Sequence, residues 1–85
     1  MIVVEQGKKF EVPDNMIENY KSDFQDMKIK HDRETLTFFR NAVIIMLAMA
    51  KQDAGRLKDP DFVGDIIRAL AVREALKQTN MLYDA

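Results

Sequence analysis

The feature that most constrains this chain is an uninterrupted apolar run, Ala42-Val43-Ile44-Ile45-Met46-Leu47-Ala48-Met49-Ala50. It is about half the length that a membrane-spanning helix needs, roughly 20 residues, which argues against membrane insertion. Wound into a helix it is apolar on every face, the pattern of a helix surrounded by protein rather than one lying on a surface. The chain is therefore expected to fold around this segment.

The flanking residues set its limits. Asp32 suits an N-cap with Glu34 in the first turn, and Lys51 followed by Gly55 suits a C-terminus that closes on a left-handed glycine. These signals predict a helix over 33–54, about 22 residues and roughly 33 Å long. Before it, Pro13 and Asp14 open a helix over 13–28 whose apolar residues Met16, Ile17, Tyr20, Phe24 and Met27 form one narrow stripe. After it, Asp59-Pro60 repeats the cap-and-proline signal and predicts a helix over 60–79, ended by Asn80 in the left-handed region. Its first half, with Phe62, Val63, Ile66, Ile67 and Leu70, is expected to be the buried half. Gly64 within it is expected to mark close approach of another backbone. Met81, Leu82 and Tyr83 either fold back on this helix or remain free.

Residues 2–12 alternate as a short hairpin does, with Gln6-Gly7 at the turn. A two-residue turn there pairs Glu5 with Lys8 and Val3 with Phe10, and puts Ile2, Val4, Lys9 and Glu11 on the opposite face. Two strands alone are marginal in water, so the hairpin must lie on the helices or add to a strand of another copy. The expected fold is thus mainly α: a short N-terminal β-hairpin followed by three helices at about 13–28, 33–54 and 60–79, packed around a central hydrophobic helix. At 85 residues it is a single domain, and 47% apolar with 32% charged residues is the balance of a chain that folds.

Charge and chemistry narrow the function. Thirteen Lys and Arg against fourteen Asp and Glu supply no strong field for nucleic acid or an anionic membrane. Without cysteine there is neither a disulfide framework nor thiolate chemistry, and no basic-then-apolar leader opens the sequence, so a cytoplasmic home is expected. One histidine, His31, lies among charges at a turn, and Ser22 is the lone serine, too little for a nucleophile with its base. No second His or Cys can join His31 on a metal, and no glycine-rich phosphate loop occurs, so no catalytic residue and no metal or other cofactor is expected. Lys28, Lys30 and Arg33 are anion-site candidates at one end of the long helix, with Lys51, Arg56 and Lys58 at the other. Acids interrupt both groups and no aromatic is present to stack a base, so nucleic-acid binding is the weaker alternative.

What remains is apolar surface. Either the hairpin and flanking helices enclose the long helix unaided, or one flank of it is left over for a partner. The preferred surface is Phe38, Phe39, Val43, Met46 and Met49, because aromatics and methionine are enriched in interface cores. A homodimer is the commonest such arrangement, and Val43→Asp is expected to split it. Small-ligand binding at a subunit interface is a further alternative, furnished by Tyr20, Arg40, Asn41 and Tyr83.

The segment Gly7-Lys8-Lys9-Phe10-Glu11-Val12-Pro13, leading from a hairpin into an amphipathic helix, is similar to the openings of small accessory proteins of bacteriophages and mobile elements. The resemblance covers about a fifth of the chain and implies a regulator or inhibitor that binds a host or phage protein. Together these readings point to a non-enzymatic protein-interaction module, homo-oligomeric and with an additional protein partner.

Overall fold

Gln6 and Gly7 take positive φ values of 52° and 76°, the sign that a type I′ turn demands at both central positions. The turn sets the expected register between β1 (Ile2–Glu5) and β2 (Lys8–Glu11), with Val3 opposite Phe10 and Glu5 opposite Lys8. The structure is a computed structural model that describes residues 1–83. In it the hairpin lies on the helices: Phe10 and Val12 are buried, while Ile2 and Val4 stay on the outer face. Two polar contacts fix its position. The Arg73 guanidinium donates to Glu5 at 2.9 Å, and the Gln6 amide donates to the Leu47 carbonyl at 3.3 Å.

Three helices follow, α1 (Asp14–Ile29), α2 (Arg33–Gln52) and α3 (Pro60–Gln78), with a short 3₁₀ helix, Ala54–Lys58, between the last two. Each boundary has a local cause. Pro13 is the N-cap of α1 in extended conformation, so the helix begins at Asp14, one residue after the expected start. The Asp32 carboxylate accepts from the Thr35 amide at 3.1 Å, and Asp59 accepts from the Asp61 amide at 3.0 Å with Pro60 in the first helical position. Both α1 and α3 end in Schellman motifs. His31 (φ 56°) and Asn80 (φ 57°) are left-handed, and the following amides reach back five residues, Asp32 to Met27 and Met81 to Leu76, each at 2.8 Å. The second motif buries Met81, whose carbonyl accepts from Arg40 Nε at 2.7 Å.

Three sequence expectations give way here. Gly55 is not the C′ residue of α2; the helix stops at Gln52, Asp53 leaves the helical conformation at φ −133° and ψ 73°, and Gly55 lies inside the 3₁₀ helix without positive φ. Gly64 meets no close backbone, since a methyl group added there would have nothing within 4 Å. The largest correction concerns the centre. The enclosed helix is α3, which lies against both α1 and α2, while those two touch each other far less. Eight α3 residues are buried, from Phe62 to Leu76, against only Val43 and Ala50 in α2. Burial of α3 also extends through its second half, where Ala71, Ala75 and Leu76 are fully enclosed. Small residues at Ala69, Ala71 and Ala75 let neighbouring elements approach closely, so the helix with fewer large apolar residues takes the central place.

Candidate interaction surface

Helix α2 carries two stripes on opposite sides, one apolar and one in which apolar and polar residues are mixed. Residues two apart lie about 200° apart around a helix, so the side chains flanking Val43 and those flanking Ile45 cannot face the same way. The inward stripe comprises Leu36, Phe39, Val43, Met46 and Ala50, all half-buried or buried. Phe39 closes an aromatic cluster there, edge-on to Phe24 at 5.3 Å and to Tyr20 at 6.2 Å. The outward stripe is Glu34, Phe38, Asn41, Ile45, Ala48 and Gln52, spaced alternately four and three, and every one of these is exposed. Phe38 is 68% exposed, Ile45 58%, and the adjacent Ile44 66%.

The outward stripe borders a concavity. Between α2 and α3 a cleft of about 220 Å³ is lined by Tyr20, Phe38, Phe39, Val43, Met46 and Val72, with Asp65 and Arg68 of α3 on its wall. A shallower hollow beside it is formed by Phe38, Asn41, Ala42, Ile45 and Met46. Phe38 and Met46 belong to both, so stripe and cleft form one continuous apolar surface. Exposed apolar patches of this continuity mark interaction sites more often than isolated exposed residues do.

The five residues chosen from sequence separate here. Phe38 faces solvent, and Met46 is half-buried in the cleft wall. Val43 is only 5% exposed, inside the core of its own chain, and Phe39 and Met49 are half-buried against that core. The expectation that Phe39, Val43 and Met46 form an outward flank is therefore corrected: that spacing defines the inward stripe, and Val43 lines the cleft from within the core. Asn41, Ile44, Ile45 and Ala48 take its place. Their signal was present as a second heptad-spaced series, masked by the apolarity of the whole segment.

The other candidates do not assemble into a site. Lys28, Lys30 and Arg33 are exposed, and Lys30 pairs with Asp26 at 2.9 Å, a hydrogen bond and charge that raise the Lys30 pKa. At the far end, the Arg56 guanidinium stacks 4.3 Å over the Phe62 ring. Of the residues proposed to furnish a ligand pocket, Tyr20 lines the cleft, Arg40 holds the Met81 carbonyl, Asn41 lies on the outward stripe, and Tyr83 is 81% exposed. Among the described residues no three His, Cys, Asp or Glu side chains converge as metal ligands would, and no helix is long and apolar enough to cross a membrane. No protein-family model, curated protein or solved structure matches the chain.

Proposed function

We propose that this chain is a non-enzymatic protein-interaction module, a small cytoplasmic regulator or inhibitor that acts by occupying another protein, with the outward face of α2 as its working surface. One observation carries the reading: the outward stripe of the longest helix exposes Phe38 and Ile45 beside Ile44, next to a ready-made apolar cleft. Leaving such side chains in water forgoes roughly 1.5–3 kcal/mol each, a loss that a protein partner covering them recovers. The resemblance of residues 7–13 to phage and mobile-element accessory proteins agrees with this role.

The test compares proteins captured from the native cell by the unmodified chain and by Ile45→Asp, with circular dichroism confirming that both are folded. A partner held by the unmodified chain and released by the variant is the expected outcome. Identical captures would remove α2 from the account.

A further inference from the structure

The reading above leaves open what covers the outward face of α2. The geometry points to a second copy of this chain, packed against the first across a two-fold axis with its α2 antiparallel. This inference rests on α2 being the working surface, and it names what covers that surface when no other protein is bound.

The argument begins with spacing. The series Glu34, Phe38, Asn41, Ile45, Ala48, Gln52 follows the four-three alternation of a coiled-coil seam over almost the whole of α2. Its contents are self-complementary only when reversed. An antiparallel pairing with full overlap puts the large Phe38 against the partner's Ala48, Asn41 beside the partner's Ile45, and Glu34 beside the partner's Gln52. Large meets small in the two Phe38–Ala48 layers, as close packing requires. A seven-residue slip is worse in both directions: one sets Ile45 against the partner's Glu34, and the other carries Phe38 past the end of the partner helix at Gln52.

Charge selects the same arrangement. Glu34 stands in the first turn of α2 and Lys51 in the last, both exposed, and neither forms an ion pair among the described residues. Antiparallel packing brings Glu34 to the partner's Lys51 at both ends and opposes the helix dipoles favourably. Parallel packing would place like charges together at each end.

The available area fits as well. The chain exposes 5818 Å², whereas a compact monomer of 9.9 kDa exposes about 5,200 Å², an excess of about 600 Å². Stable dimers cover about 600–1,000 Å² per partner, about 10–17% of the surface this chain exposes.

The test measures the dimer dissociation constant by sedimentation at low salt for five proteins: the unmodified chain, Glu34→Lys, Lys51→Glu, the double swap Glu34→Lys/Lys51→Glu, and Ile45→Asp. We expect a dimer at micromolar concentration. Each single swap should weaken it about tenfold by turning two attractions into repulsions, and the double swap should restore it. Ile45→Asp, counted twice by symmetry, should weaken it on the order of a thousandfold. A dimer in which the double swap does not rescue either single swap overturns the antiparallel arrangement. A chain that stays monomeric at these concentrations overturns the second copy as occupant. If Ile45→Asp then still releases a captured partner, the working surface stands and only its occupant was wrong; if it releases nothing, both readings fall.

Discussion

His31 occupies the left-handed region at φ 56°, where a side chain costs roughly 1–2 kcal/mol relative to its preferred conformations. It stands there because α1 must end and turn into α2 within three residues, and the C′ position of a Schellman motif requires that backbone. Asn80, at the equivalent point of α3, is the better suited of the two. His31→Gly should therefore stabilise the fold by about 1 kcal/mol, raising Tm by about 5 °C, and should leave partner capture intact. Lower stability in a thermal melt, or loss of the partner, would show that the imidazole has a role beyond the turn. Gly64 offers a similar gain from a different cause. It is exposed in mid-helix with open space around it, so Gly64→Ala should add about 1 kcal/mol of helix propensity. Asp32 supplies a pH signature. Hydrogen bonding from Thr35, side chain first and then backbone amide, holds its pKa below the ordinary 3.8. Its contribution is thus fully present above 3.8 and disappears as pH falls through the lower folded value. The Tm difference between the unmodified chain and Asp32→Ala should be constant near neutrality and vanish in strong acid; a difference that persisted there would exclude the carboxylate as its source.

At the scale of elements, the caps and periodicities written in short stretches of sequence carried most of the fold. Asp32, Asp59-Pro60 and Asn80 placed helix ends within a residue or two, and the Gln6-Gly7 turn fixed the hairpin register. What the sequence did not reveal was which helix the others surround. Apolarity along a segment measures what could be buried, whereas burial is decided by which element lies between the others. Here α3 fits between α1 and α2, and the more hydrophobic α2 keeps a face outside. The misassignment of Val43 has the same origin, since a segment apolar all round hides which of its two heptad series points inward. A pair of substitutions reads this out directly. Val43→Asp buries an unpaired carboxylate in the core and should destabilise the chain on the order of 4 kcal/mol, enough to abolish its folded circular dichroism signal. Ile45→Asp, two residues on and 58% exposed, should change the stability of the isolated chain by no more than about 0.5 kcal/mol. Equal effects at the two positions would mean that α2 is enclosed on both sides after all.

The whole molecule is longer and more open than its size requires. Its radius of gyration is 13.0 Å where a compact chain of 85 residues gives about 12 Å, and its longest dimension is 39 Å against 20 Å for the shortest. A domain this small, without disulfides, has little stability to spare. A chain that leaves Phe38 and Ile45 in water is expected to gain stability by association, and such a gain has a thermodynamic signature independent of any particular contact. Unfolding that also separates two chains is driven by dilution, so Tm depends on protein concentration, whereas the Tm of a monomer does not. With an unfolding enthalpy of about 0.7 kcal/mol per residue, a dimer melting in one step should gain about 4 °C in Tm for each tenfold rise in concentration. Ile45→Asp should melt at one temperature throughout the same series, because the charge keeps the two helices apart at every concentration. Calorimetric scans of both proteins, each across a hundredfold dilution, make the comparison. A concentration-independent Tm for the unmodified chain would show that its folded state owes nothing to a second copy, and α2 would then have to be reserved for a different protein.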